Sequence, residues 1–293
     1  MKYGAIDIGT NAARLLIGEI SPSNKHEIVK KISYTRIPLR LGYDVFENGE
    51  ISPRKEKEFL KTIQAFKLIS EVFDVKELRA CATSAMREAE NGKDIQKRIK
   101  KATGVDIEII GGKEEGDLII SSFELLDFDH RSPFIVIDVG GGSTEISMFN
   151  RGKKVNSRSF NVGTIRLLKN KVKKGVWEDI NEYIKDNFHM TKKAKVFATG
   201  GNINKIHKLF GLQYMQPIYT DQLMDFHDEV KPLSISKRIE KYQLKEDRAD
   251  VIVPAMEIYT KVLKKMSCGR VYVPKIGLSD GIIYDLHKKN SKK

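Results

Sequence analysis

Two stretches of this chain share one outline, and together they restrict the fold more than any other feature. "KYGAIDIGTNAARLLIGEI" at residues 2–20 and "FIVIDVGGGSTEI" at 134–146 each run an apolar strand into an aspartate, then a glycine-containing turn, then a second strand. The aspartates are Asp7 and Asp138. A tight turn rich in glycine can aim several backbone N–H groups at one point, which makes an anion-binding concavity. Gly140, Gly141 and Gly142 carry no Cβ to block close approach and tolerate positive φ, and Ser143 and Thr144 add hydroxyl donors. Gly9, Thr10 and Asn11 offer the same chemistry at the first turn, with more side-chain donors. Either turn alone is equally an ordinary β-hairpin with an Asp-Gly signal. Their repetition is what argues for a ligand.

The flanking order repeats as well. The first half reads as strands at 3–8, 15–20 and 27–37, then a helix over 54–73, where Phe59, Ile63, Phe66, Ile69 and Phe73 recur at spacings of three and four. A buried strand "ELRACATS", a helix closed by Gly104, a strand "VDIEII" and a turn at Gly111-Gly112 follow. From Ser132 the order restarts: strand, glycine turn, strand, strand, a helix around Trp177 to Phe188, the strand "AKVFATGG" and a helix from Asn202. Asp7 and Thr83 are 76 positions apart and Asp138 and Thr199 are 61, so this is a duplicated α/β architecture and not a tandem array. The crossing point falls in 115–128. The domains expected are 1–122 and 123–293, with the C-terminal helix at 281–293 available to complete the first.

The 293 residues can bury two cores, and a net charge of +13 favours anionic partners without choosing among them. Cys81 and Cys268 form no CxxC, and no two histidines lie three to five residues apart, so neither a disulfide framework nor a histidine metal site is expected. The chain shows no signal segment and no apolar run of eighteen residues, which fits a cytoplasmic protein with no membrane partner. "KKNSKK" at the end reads as a frayed basic tail.

Seven blocks, "DIGTNAARL", "ATSAMREA", "KEEGDL", "DVGGGSTEI", "NVGTIRL", "ATGGN" and "RADVI", occur in order between residues 7 and 252. The set resembles the exopolyphosphatase/guanosine pentaphosphate phosphohydrolase (Ppx/GppA) family in its short form, within the superfamily of actin, sugar kinases and heat-shock chaperone ATPases. The resemblance implies an α/β fold of two duplicated actin-like (ribonuclease H-like) domains with a cleft between them. It departs from the family at Ala12, where a serine is common, at Asn202, where a threonine is usual, and at "GLSDG", which replaces a more basic "GLREG".

The resemblance further implies release of terminal phosphate from inorganic polyphosphate, with guanosine pentaphosphate as a second candidate substrate, and pairing of two copies, which family members often show. Nucleic acid is not the expected partner. Glu114 and Glu115 of "KEEG" are both candidate catalytic bases, and the resemblance puts the water-activating role on the second, Glu115; a solvated acidic pair at a helix N-terminus would look the same. Asp138 and Glu145 are assigned to Mg²⁺ binding or water orientation, with Asp7 as a further metal ligand. Arg87 of "ATSAMR" is assigned to transition-state charge. Gly200 and Gly201 permit close approach of a phosphate chain. Arg166 stands evenly between phosphate contact and structure, and Arg248 leans to structure. The lysine runs Lys173-Lys174 and Lys192-Lys193 line a polyanion path or are simply solvated. Phosphoryl transfer from ATP, or polyanion binding without catalysis, remain the alternatives.

Overall fold

The computed structural model describes residues 1–22, 27–188 and 194–291; Lys192, Lys193 and the last two lysines of the basic tail lie outside them. The chain divides into two compact units, Met1–Phe128 with Ile276–Lys293, and Asp129–Lys275. The division thus falls six residues after the 122/123 boundary read from the sequence, because the turn of 3₁₀-helix Ser122–Leu125 packs with the first unit.

In the first unit, strands β1 (Tyr3–Ile8), β2 (Ala13–Pro22), β3 (Glu27–Ile37), β4 (Glu77–Ala82) and β5 (Ile107–Ile109) form one sheet in the order β3-β2-β1-β4-β5. β1 runs antiparallel to β2 and parallel to β4, and β4 is parallel to β5. Every residue of β1 is buried, as an almost unbroken apolar run requires of a strand covered on both faces. The expected amphipathic helix is Pro53–Val72; Ser52 caps it by accepting from the Lys55 N–H at 3.3 Å, Pro53 opens it, and Phe59, Ile63 and Phe66 are fully buried. The helix Gly92–Thr103 ends on Gly104 at φ 75°, the left-handed conformation that favours glycine. Gly111 and Gly112 are not the turn expected: Gly111 is extended, and Gly112 already begins the helix Gly112–Ser121, with Glu114 and Glu115 in its first turn. Carboxylates are favoured there by the exposed N–H groups of the helix end.

The C-terminal helix Leu278–Ser291 belongs to this unit. Gly281 lets it approach the helix Gly112–Ser121 so closely that a Cβ would lie 1.9 Å from the Leu118 carbonyl oxygen. Asp280 is buried, accepts from the Gly277 N–H at 3.0 Å and pairs with Lys31 Nζ at 2.8 Å. Burial pushes its carboxyl above the ordinary 3.8, and Lys31 only partly opposes this. A carboxyl raised in the folded state contributes stability that is fully present below its unfolded value and is lost as pH rises through the folded value. The stability of the wild type relative to Asp280→Asn is therefore expected to fall as pH rises from about 3.8, measured by urea unfolding across a pH series.

The second unit repeats the plan with β6 (Phe134–Val139), β7 (Thr144–Asn150), β8 (Lys153–Phe160) and β9 (Lys195–Thr199) in the order β8-β7-β6-β9. β6 is antiparallel to β7 and parallel to β9. A parallel bridge from Phe197 to Tyr272 occupies the place that β5 takes in the first sheet. β10 (Ile218–Tyr219) and β11 (Arg270–Val271) make a separate two-stranded ribbon. The edge strand β8 is largely exposed and carries Lys153, Lys154 and Arg158, charges that discourage further strand pairing.

The duplication holds in register, with one correction. Asp138 pairs with Thr199, whereas Asp7 pairs with Cys81. Thr83 thus lies two residues beyond the counterpart of Thr199, and the repeated "AT" is a likeness of letters, not of position.

Candidate active site

Both turns close in one way. Gly9 donates its N–H to the Ala12 carbonyl at 3.1 Å, and Gly140 donates to Ser143 at 2.9 Å, so each hairpin has a four-residue loop between paired positions Ile8/Ala13 and Val139/Thr144. Ser143 is thereby the counterpart of Ala12, the position where the first turn lacks a hydroxyl. None of Gly9, Gly140, Gly141 and Gly142 has positive φ. Close packing demands a further glycine outside the turn. Gly163 of "NVGTIRL" lies against the loop, and a Cβ there would come within 2.5 Å of the Gly141 carbonyl carbon and the Gly142 nitrogen.

The rest of that motif braces the same loop. Thr164 N–H donates to the Gly140 carbonyl at 3.0 Å, Ile165 N–H to Gly141 at 2.8 Å, and the buried Arg166 donates from Nε to Gly142 at 2.9 Å. Thr144 is fully buried and donates its hydroxyl to the Val162 carbonyl at 2.6 Å, so it holds the hairpin and is not presented as a phosphate donor. Arg166 and Thr144 therefore position the loop.

Beside this loop stand Asp138 and Glu145, directly opposite each other on β6 and β7, hence on one face of the sheet. The Thr199 hydroxyl donates to Asp138 Oδ1, and the Ser159 hydroxyl donates to Glu145 Oε1 at 2.6 Å. Glu145 is buried and Asp138 half-buried. Two carboxylates side by side repel, and hydroxyl donors offset that only in part. Gly200, at φ 121°, sits where a Cβ would meet the Val139 carbonyl oxygen at 2.7 Å. The Tyr259 hydroxyl donates to the Thr199 carbonyl, and the Arg248 guanidinium donates to the Gly201 carbonyl and lies 3.4 Å from Asn202 Oδ1. Arg248 thus supports the "ATGGN" turn.

The first unit sets different groups at the same kind of position, the C-terminal ends of its parallel strands. Asp7, at the end of β1, faces Arg14 across the ladder and holds it in an ion pair of 2.6 Å. Arg14 stands seven residues after Asp7 as Glu145 stands seven after Asp138, so the duplicated position carries opposite charge in the two units. The pair engages Asp7 Oδ2 and offsets the charge that Asp7 would offer a cation. Thr10 is buried, and the carbonyls of Thr10 and Asn11 accept from Gly42 and Arg40, which fixes the loop against the following helix Leu41–Asn48.

After β4, Arg87 in the short helix Ser84–Glu88 donates from Nη1 to the Ile110 carbonyl at 2.7 Å and lies 4.0 Å from Glu115 Oε2. Glu115 is 12% exposed. Glu114, one residue earlier, is 51% exposed and turns to Arg79 at 3.1 Å, joining Glu108 and Asp285 around that guanidinium. The two glutamates therefore separate: Glu115 stands 4.0 Å from Arg87, and Glu114 joins the ion-pair cluster around Arg79.

Carboxylate and hydroxyl oxygens suit a hard cation such as Mg²⁺, which keeps several waters and needs only one or two protein carboxylates. Asp138 and Glu145 fit that demand. Among the described residues no three His, Cys, Asp or Glu side chains gather as a complete protein cage would.

Two sheets of one strand order, each presenting a four-residue loop after an aspartate, define an α/β chain of the actin-like ATPase class. The model of the Ppx/GppA phosphatase family matches residues 20–290, and the chain belongs to that family. It is 26% identical over 288 residues to a bifunctional 3-dehydroquinate synthase/phosphatase of Fusobacterium nucleatum, covering 88% of this chain and 42% of that protein. It is 31% identical over 147 residues to exopolyphosphatase 1 of Mycobacterium tuberculosis, covering 50% of this chain and 42% of that one. The chain thus spans about two fifths of the length of these curated relatives. Among solved structures, an exopolyphosphatase from Cytophaga hutchinsonii superposes with a TM-score of 0.83 at 22% identity, covering 99% of this chain and 98% of that one. The Aquifex aeolicus Ppx/GppA family member does so at 0.75 and 22%, with the same coverage. At these identities the structural likeness speaks for the fold.

Proposed function

We propose that this chain is a Mg²⁺-dependent phosphohydrolase that releases terminal phosphate from inorganic polyphosphate, with guanosine pentaphosphate as a second substrate. The observation that carries the reading is the Asp138–Glu145 pair, set across one ladder rung beside a braced glycine loop. The family and the exopolyphosphatase name of a 31% identical relative support it.

Each group has a task in such a reaction. In the second unit the loop Gly140–Ser143 would hold a phosphate on the N–H groups of Gly141, Gly142 and Ser143, the Gly140 N–H being committed to the Ser143 carbonyl; in the first unit Thr10 and Asn11 offer donors of the same kind. A Mg²⁺ ion held by Asp138 and Glu145 would supply charge neutralisation at the phosphate oxygens. Within the first unit, Glu115 would act as the base toward water and Arg87, 4.0 Å from it, would orient it. Thr199 and Ser159 would hold the two carboxylates in place.

The test is phosphate release from long-chain polyphosphate, guanosine pentaphosphate and ATP, each with Mg²⁺ and with a chelator. Release from polyphosphate that needs the metal is the expected result. Turnover of ATP alone with an acceptor would replace hydrolysis by phosphoryl transfer, and no release from polyphosphate would remove the proposal.

A further inference from the structure

We infer that the lysine-rich loop "KNKVKK", residues 169–174, is the track along which the remainder of a long polyphosphate chain leaves the glycine loop, and so selects long polymers over nucleotides. This rests on the phosphohydrolase reading above. The short helix Thr164–Leu168 that braces Gly140, Gly141 and Gly142 ends at Lys169. Asn170 then takes the left-handed conformation at φ 54°, its N–H donating to Leu167 at 3.1 Å, while the Lys171 N–H donates to the Arg166 carbonyl at 2.9 Å. These two bonds form the reversing cap that turns a chain back along its helix. Lys171 is thus bonded to the residue whose guanidinium holds Gly142.

Val172 packs on the core of the unit and pins the middle of the loop. Lys171, Lys173 and Lys174 around it are exposed, and none of the three forms an ion pair among the described residues. No acidic residue occurs between Gly163 and Trp177; the exposed Glu178 and Asp179 follow, and Asp179 lies 3.7 Å from Arg158. A polymer whose last phosphate sits on the glycine loop still carries negative charge on every following unit, and Lys171, Lys173 and Lys174, which form no ion pair among the described residues, would lower its energy. A nucleoside pentaphosphate has short phosphate arms and offers few charges beyond those the loop would hold.

The experiment compares the wild type with the triple variant Lys171→Ala, Lys173→Ala, Lys174→Ala. A control of equal charge change, Lys93→Ala, Lys97→Ala, Lys101→Ala, lies on the exposed side of the helix Gly92–Thr103. The first readout is binding of long-chain polyphosphate across a salt series. The second is the ratio of KM for long chains to KM for tripolyphosphate. The loop variant is expected to weaken binding and raise the ratio roughly tenfold, and to lower the salt slope by about 0.7 for each phosphate charge that a lysine no longer neutralises, while the control leaves the ratio as it was.

An equal effect in the control, or no effect in the loop variant, overturns the inference. So does a homopolymeric RNA that binds as tightly as polyphosphate and loses as much in the loop variant. Binding needs no turnover, so a wild type that binds polyphosphate without releasing phosphate removes the hydrolase reading while the loop is still judged by its isotherm. A wild type that binds no polyphosphate overturns both.

Discussion

Glu115→Gln is expected to slow phosphate release from polyphosphate by about 10²–10⁴-fold while polyphosphate binding is retained, the range typical for losing a positioned general base. Glutamine keeps the shape of the side chain and leaves an oxygen facing Arg87, whose Nη1 lies 4.0 Å from Glu115 Oε2. It cannot take a proton from water. The neighbour supplies the contrast, because Glu114 faces Arg79 in a cluster with Glu108 and Asp285. Glu114→Gln removes one of three carboxylates around that guanidinium at a half-exposed position. A small change in stability is expected there, since exposed pairs contribute ~0–1 kcal/mol. Single-turnover release with matched binding isotherms decides the matter: Glu115→Gln within a few-fold of the wild-type rate would take the base away from Glu115.

Gly163→Ala should lower kcat/KM by about 10²-fold or more, although Gly163 lies outside the glycine loop itself. Its new Cβ would stand 2.5 Å from the Gly141 carbonyl carbon and Gly142 nitrogen and 2.6 Å from the Gly141 oxygen. These atoms are main chain and cannot swing aside as a side chain would. Either the loop moves away, or the segment that donates to Gly140 and Gly141 moves and those bonds loosen. Overpacking of this kind costs about 1–3 kcal/mol in stability, and a displacement near 1 Å at a positioning element costs about 10²-fold in rate. Gly269→Ala is the matched control, because a Cβ there meets nothing within 4 Å. Urea unfolding and phosphate release are measured on both variants. A Gly163→Ala protein with wild-type kcat/KM would show that the loop does not hold the reacting phosphate.

Local pattern made much of this architecture readable. The two Asp-turn-strand outlines, the burial of Phe59, Ile63 and Phe66 and the left-handed cap at Gly104 all rest on spacing within a few residues, and all stand in the structure. Spacing could not say which way a hydroxyl or a guanidinium turns. Thr144 looks like a donor to ligand until β7 is paired and its Oγ1 meets the Val162 carbonyl. Arg166 and Gly163 acquire their tasks only because residues 160–166 fold back onto a loop twenty positions earlier. Arg14 was within reach: the seven-residue interval that points to Glu145 after Asp138, applied to Asp7, lands on it. The repeated "AT" misleads because parallel register is set by pairing along β4 and β9, which the intervening lengths do not reveal.

The helix Leu278–Ser291 also orders events during synthesis. The second unit is one continuous segment, whereas the first contains both the beginning of the chain and this late helix. Residues 129–275 have all emerged from the ribosome before Gly281 can reach Leu118, so the earlier-made unit is the later one to be finished. Until then its β1 and β2 lack their partner and present apolar surface to whatever chaperone or neighbouring nascent chain is at hand.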